Sequence, residues 1–176
     1  MAELVTGQEW VRLLRTFARS AWRLETQGIY REPYEAEHFR RFLDGEPDDL
    51  EWMRDWLDTI RAITLAGRFF GRVRVLTQPL TDYLRWEIQV TPVNIEAGED
   101  IRFLTADQAA DLGLPDHDYY LFDDELVARM YFGDHGFLGA ELITDPSAVA
   151  RHRAWRELAW GHAMTFTDYA RTAPTN

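Results

Sequence analysis

Cysteine is absent from the chain, and disulfides, thiolate nucleophiles, zinc–thiolate sites and iron–sulfur clusters go with it. Lysine is absent as well, since all 19 basic residues are arginine. That removes Schiff-base chemistry, a lysine general base and the phosphate-loop lysine. Serine occurs only as Ser20 and Ser147, neither within a Gly-x-Ser-x-Gly elbow, so the usual serine-hydrolase arrangement is missing. No run of 18 apolar residues exists to span a bilayer. Met1 to Thr16 carries Glu3 and Glu9 where a secretory leader would carry an apolar core. A cytoplasmic protein without membrane contact is the expectation. Gly67-Arg68-Phe69-Phe70-Gly71 lacks both the spacing and the lysine of a nucleotide cradle. No cofactor and no catalytic set are expected, and the enzyme question leans towards no.

The apolar content is ample. Seven Trp and ten Phe in a chain 46% hydrophobic can build a packed core, which a disordered chain cannot. A length of 176 residues suits one domain. The net charge of −11 is uneven: Glu96 to Asp145 holds thirteen acidic residues against Arg102 and Arg129, and the rest of the chain sums to zero. Phosphate repulsion therefore disfavours direct nucleic-acid binding. The all-arginine composition fits a GC-rich genome.

Thr6 and Glu9 have capping-box spacing. Trp10, Leu13, Leu14, Phe17, Ala18, Ala21 and Leu24 recur at helical intervals, which predicts a helix from Gln8 to about Glu25. Shorter helices are expected from about Glu35 to Leu43 and, capped by Asp48 or Asp49, from Trp52 to Gly67. Strand periodicity begins at Phe69, with Val73 and Val75 alternating with Arg72 and Arg74. Beyond Pro79, Leu84, Trp86, Ile88 and Val90 alternate with Tyr83, Arg85, Glu87 and Gln89, and this reads as the cleanest strand of the chain. Further strands are expected at Ile101–Leu104, Tyr119–Phe122, Leu126–Phe132 and Phe137–Ile143, the last two joined by a Gly133–Gly136 hairpin loop. Thr105 and Gln108 cap a short helix, and Asp145-Pro146 opens the last one. The tail from Thr172 to Asn176 reads as polar and frayed.

The pattern gives a single α+β domain over residues 1–176. A helical layer spans about 6–67, a mostly antiparallel sheet of about five or six strands spans about 69–144, and a closing helix spans about 145–170. The helices are expected to cover one face of the sheet.

Three constellations could carry chemistry. Asp116-His117-Asp118, near Asp123 and Asp124, contains carboxylate and imidazole ligands. Neighbours in sequence point apart, however, and no second histidine follows at helical spacing, so no metal site is assigned. The polar face of Tyr83, Arg85, Glu87 and Gln89, with Arg72 and Arg74 beside it, would suit a polar small ligand or a peptide. The candidate ligand-binding residues are therefore Arg72, Arg74, Tyr83, Arg85 and Glu87. Arg12, Arg15, Arg19 and Arg23 would form a stripe on the first helix, able to grip an acidic partner or phosphate. They could equally pair with the chain's own carboxylates, and that intramolecular pairing is expected.

Several runs carry a family likeness: Arg72-Val-Arg-Val75, Pro79-Leu-Thr-Asp-Tyr83-Leu-Arg-Trp-Glu87, Gly98-Glu-Asp-Ile-Arg102, Asp118-Tyr-Tyr-Leu-Phe-Asp-Asp124 and His152-Arg153. Asn94, Gly139-Ala-Glu141 and Ala159-Trp160 extend it, so that it runs from about Val5 to Tyr169. The chain resembles an actinobacterial family of domains of unknown function, often encoded beside helix-turn-helix regulators. That resemblance implies origin and neighbourhood but no catalytic residues. The leading expectation is a non-enzymatic regulatory or adaptor module that binds such a regulator. A small-ligand sensor or unfamiliar enzyme using the polar face is the second, and nucleic-acid binding through the arginine stripe the third.

Overall fold

The computed structural model describes residues 3–172. Its framework is one seven-stranded sheet in the order β6-β5-β4-β1-β2-β3-β7. In chain order the elements are α1 (Gly7–Thr16), β1 (Ser20–Glu25), α2 (Ala36–Leu43), α3 (Arg54–Leu65), β2 (Phe69–Leu76), α4 (Asp82–Ala97) and β3 (Asp100–Thr105). Then follow α5 (Ala106–Asp111), β4 (Tyr119–Phe122), β5 (Leu126–Gly133), β6 (Gly136–Ile143), α6 (Pro146–His162), β7 (Met164–Thr165) and α7 (Phe166–Thr172). No described helix is long and apolar enough to cross a membrane.

The class is mixed α and β, with seven strands rather than five or six. β1, β2 and β3 run parallel to one another, and the other neighbouring pairs are antiparallel. Parallel neighbours cannot be joined by a hairpin and need a crossover; α3 supplies it between β1 and β2, and α4 between β2 and β3. Helices lie on both faces of the sheet, not on one. On one face α1, α3 and α4 bury Trp10, Ile60, Ile63, Trp86 and Val90 against Phe70, Tyr120 and Phe122. On the other, α5 and α6 pack Ala109, Val149, Trp155 and Ala159 around Trp22, Leu24, Val73 and Tyr119. Residues 145–170 form not one closing helix but α6, β7 and α7, whose Phe166 and Tyr169 pack on Phe103.

The expected helix from Gln8 to Glu25 is α1 followed by β1. The first turn lacks the capping box, because the Thr6 side chain makes no cap hydrogen bond. After Phe17 the Asp123 carboxylate accepts hydrogen bonds from the amides of Ala18, Arg19 and Ser20, which diverts the chain out of the helix. β1 pairs with β2 on one side and β4 on the other. A strand buried on both faces carries apolar residues on both, so it lacks the alternation that marks a half-exposed strand.

Residues 83–90 are helix, not strand. Thr81 caps α4 by accepting from the Leu84 amide at 3.1 Å. Tyr83, Leu84, Trp86, Val90, Thr91, Asn94 and Ala97 are the buried positions, a helical progression. The helix sits between the sheet and α2 with α3 and is covered on two sides, so apolar residues occur at nearly every second position. Gly98 ends it at φ +113°, where a Cβ would stand 2.6 Å from Thr64 Oγ1; only glycine fits this left-handed stop.

The α5 capping box forms as the sequence predicts, with Thr105 and Gln108 exchanging side-chain and backbone bonds. Thr105→Ala should lower stability by about 1 kcal/mol, the usual loss for such a cap. Urea unfolding measures it, and an unchanged midpoint would show that the box contributes nothing.

Candidate functional site

Strand register brings four charged side chains to the same face of the sheet. Arg23 stands opposite Arg72, and Glu25 opposite Arg74. This is the face covered by α1, α3 and α4. Glu25 lies at the centre: its Oε1 accepts from Arg72 Nη1 at 2.8 Å and faces Arg23 Nη1 at 3.1 Å, while Oε2 accepts from Arg74 Nε at 2.6 Å. Burial alone would raise the Glu25 carboxyl, but Arg74, Arg23 and Arg72 together override it and hold the group well below the usual carboxylate range.

Each arginine has a second carboxylate. Arg72 pairs with Glu99, Arg74 Nη2 with Glu87 at 2.9 Å, and Arg23 Nη2 with Asp118 at 3.2 Å. Asp118 also accepts from Tyr30 Oη at 2.6 Å and from the amide and hydroxyl of Thr26. Glu99 is fully buried, and that burial raises its carboxyl against the pull of Arg72. Arg23, Glu25, Arg72, Arg74 and Glu87 form the floor of a cavity of about 430 Å³, within the range of small-ligand sites. Trp10, Trp56, Trp86, Tyr120, Phe132 and Phe137 wall it, and Val11, Leu14, Tyr34 and Trp52 also line it.

The segment between β1 and α2 is tied across this cavity at three points. Tyr30 reaches Asp118. Glu32 Oε1 accepts from the Phe137 amide at 3.0 Å. Glu35 Oε2 lies 2.7 Å from Tyr83 Oη, which is also 2.9 Å from Glu87 Oε1. One phenolic hydrogen cannot serve two carboxylates, so one carboxyl must itself donate to Tyr83. Glu87 has the Arg74 guanidinium as counter-charge at 2.9 Å. Glu35 has no cation beside it, and burial, with the charges of Glu87 and Glu32, raises it to about 8. Glu35 is therefore the protonated member at neutral pH.

Of the ligand-binding residues expected from sequence, Arg72, Arg74, Tyr83 and Glu87 converge on this cavity. They come from β2 and from one face of α4, where Tyr83 and Glu87 are four residues apart. Arg85 does not join them: it is exposed on the far side of α4 and pairs with Asp82. The arginine stripe does not exist as one surface. Arg12 and Arg15 remain on exposed α1, with Arg12 3.9 Å from Glu9. Arg19, past the helix end, pairs with Glu125 at 3.1 Å. Arg23 is in the cavity floor. Part of the stripe is thus engaged by the chain's own carboxylates.

Sequence reasoning missed Glu25, Glu35, Glu99 and Tyr30. Glu25 alone had a legible signal, as the second member of an Arg-x-Glu run once residues 20–25 are taken as a strand. The Asp116-His117-Asp118 residues diverge. Asp116 is exposed, Asp118 turns to Arg23, and His117 Nε2 meets His152 Nε2 at 3.3 Å on the α6 side. Burial, then Arg129 and His152, lowers His117 to about 4. Among the described residues no three His, Asp or Glu side chains form a group suited to a metal ion. A second cavity of about 420 Å³ lies between α2 and α4. Its His38 and Asp48 are bonded to each other at 2.8 Å, which leaves that cavity little unspent chemistry.

A family model described as a domain of unknown function, DUF6879, matches residues 8–171. A comparison with curated proteins finds no match.

Proposed function

The chain belongs to the DUF6879 family of domains of unknown function, and we propose that it is a small-molecule-binding module whose ligand occupies the cavity between the sheet and α1, α3 and α4. One observation carries this reading: a cavity of about 430 Å³ whose floor is a buried network of arginines and glutamates and whose walls are aromatic. Aromatic walls with a few convergent polar groups are the general form of a ligand site. Among the described residues no serine, threonine, cysteine, lysine or histidine lines the cavity, so binding is the reading its residues support best.

The test is a fragment screen by thermal shift, repeated on Val11→Trp. Val11 is 43% exposed and lines the cavity, so a larger side chain there should obstruct it while the fold tolerates a surface change. A ligand at one hundred times its Kd should stabilise the wild type by about 2.7 kcal/mol. Val11→Trp should lose that stabilisation at an unchanged ligand-free melting temperature. Fragments that stabilise both proteins equally would place binding elsewhere.

A regulatory role is compatible with the same site through α1. Trp10, Val11 and Leu14 face the cavity, while Arg12 and Arg15 face outwards. One helix thus touches both the ligand space and an exposed basic surface. A helix-turn-helix regulator is the partner that the resemblance implies, and occupancy of the cavity would alter its docking through α1. Co-purification with such a regulator, with and without Arg12→Glu and Arg15→Glu, tests this; a complex indifferent to both changes removes α1 from the account.

A further inference from the structure

We propose that the cavity takes an organic cation, a protonated amine with an aromatic or apolar body, whose ammonium group replaces the proton shared by Glu35, Tyr83 and Glu87. This rests on the ligand-binding reading above and adds the charge and chemical class of the ligand.

Arg23, Arg72 and Arg74 have four carboxylate partners between them, Glu25, Glu87, Asp118 and Glu99. These three guanidinium groups and four carboxylates contact one another and form one closed set. Glu35 stands outside it, a partly buried acid in contact with Tyr83 alone and without a cation. Its surroundings are acidic on every side: Glu87 on α4, Glu32 in its own segment and Glu25 on β1 all disfavour its ionised form. A proton is the smallest cation that satisfies the Glu35–Tyr83–Glu87 cluster, and an ammonium group is a larger one. An amine that enters and releases the Glu35 proton leaves the site at the charge it started with.

The aromatic neighbours fit the same ligand. Trp52 stacks on Trp86 at 6.0 Å between ring centroids, and Tyr34 and Tyr83 flank that pair. Trp and Tyr rings attract cations through their faces, most strongly when water is displaced. The chain's net charge of −11 favours approach of a cation over an anion.

A second feature points to a ligand independently. The Arg74 side chain is 4% exposed and lines the cavity, and its Nε and Nη2 are engaged by Glu25 and Glu87. Its Nη1 is buried without a hydrogen-bond partner. Buried donors are nearly always paired, so the orphan corner calls for an acceptor, and Arg74 already holds Glu87. An amine with a neutral oxygen near its nitrogen would satisfy both requirements. An anion would meet Arg74 but also face Glu25, Glu87 and Glu32.

Isothermal titration calorimetry with L-phenylalaninol, phenethylamine and 3-phenylpropionate separates the possibilities, since the three share a phenyl group and differ in charge and acceptor. The two amines should bind the wild type at pH 7, phenylalaninol the tighter, and 3-phenylpropionate should not. Titrations in buffers of different ionisation enthalpy should show release of about one proton, because Glu35, at about 8, starts protonated. Amine affinity should rise from pH 6 to pH 8 as the competing proton leaves. Glu35→Gln preserves the neutral contact with Tyr83 but cannot ionise; it should weaken amine binding about tenfold and abolish proton release. Three results would each overturn the proposal: 3-phenylpropionate binding as well as the amines, amine binding without proton release, or Glu35→Gln matching the wild type. If neutral fragments such as indole bind in a manner blocked by Val11→Trp while the amines gain nothing, the cavity remains a ligand site and only the cation assignment fails. If neither amines nor neutral fragments bind, both readings fall together.

Discussion

Glu25→Ala is expected to destabilise the protein by about 3–5 kcal/mol, the loss that follows when one member of a buried charge network is removed. Three guanidinium groups converge on this carboxylate, whose side chain is only 4% exposed. Alanine would leave Arg23 with Asp118, Arg74 with Glu87, and Arg72 with a Glu99 whose carboxyl burial already raises. The arginine side chains are buried (Arg74 is 4% exposed), so the lost carboxylate leaves buried positive charge less well compensated. Against the stability usual for a domain, about 5–15 kcal/mol, this change should consume roughly a fifth or more. Urea unfolding at pH 7 measures it; a loss below about 1 kcal/mol would show that the arginines find other partners. Glu25→Gln, which keeps the acceptor and removes the charge, should fall between alanine and wild type. The pH dependence has a definite sign. Glu25 is held below its unfolded value, so its contribution is complete above about pH 4.5 and is lost as pH falls below it.

Buried ion networks contribute little relative to apolar side chains of the same shape, which often replace them with no loss. A sheet face with Ile101 and Phe103 on β3 beside Arg72 and Arg74 on β2 could have carried apolar residues on β2 as well. The charges lie where the cavity opens, not throughout the core. The placement is what a binding floor requires: groups fixed in position by one another before any ligand arrives.

How much of this was legible in the sequence depended on local context. β4, β5 and β6 and the caps of α5 and α6 follow from signals within a few residues: alternation, a Gly-rich turn, Thr105 with Gln108, Asp145 before Pro146. β1 and α4 were not legible, because neighbours far away in sequence decide them. β1 is hydrogen-bonded at both edges by strands from later in the chain and covered on both faces by helices, and its Ala21, Trp22 and Leu24 imitate a helical stripe continuing from α1. α4 is covered on two sides, so its apolar residues imitate strand alternation. The site showed the same division. Tyr83 and Glu87 were grouped correctly by a wrong argument, since period two and the helical i, i+4 spacing both relate residues four apart. Arg85, which only the strand reading placed with them, points away. Arg72 and Arg74 came from genuine strand alternation and stay together. Glu25, Glu35 and Glu99 became visible only when strand register and a crossing loop brought them to the arginines and tyrosine they contact.

Glu35→Gln should leave stability unchanged at pH 4.5 and raise it relative to wild type as the pH increases, by about 2 kcal/mol at pH 9. The folded wild type holds the Glu35 proton up to about pH 8, whereas the unfolded chain releases it near 4.5. Between those values the native state binds more protons than the unfolded state, so wild-type stability falls with rising pH. Full burial would set the slope at about 1.4 kcal/mol per unit. Glu35 is only partly buried, and solvent screening at the cavity mouth reduces the sum across the window to the figure given. Glutamine removes the titration at position 35 and keeps a donor for Tyr83 Oη, so the difference between the two proteins reports chiefly the loss of that carboxyl. A gap of 2 kcal/mol corresponds to about 4–8 °C in melting temperature for a chain of this size. Thermal unfolding at pH 5, 7 and 9 should therefore show the wild type losing ground to Glu35→Gln at each step. Parallel curves would mean that Glu35 ionises as freely in the folded protein as in the unfolded chain, and that Tyr83 donates to it rather than accepting from it.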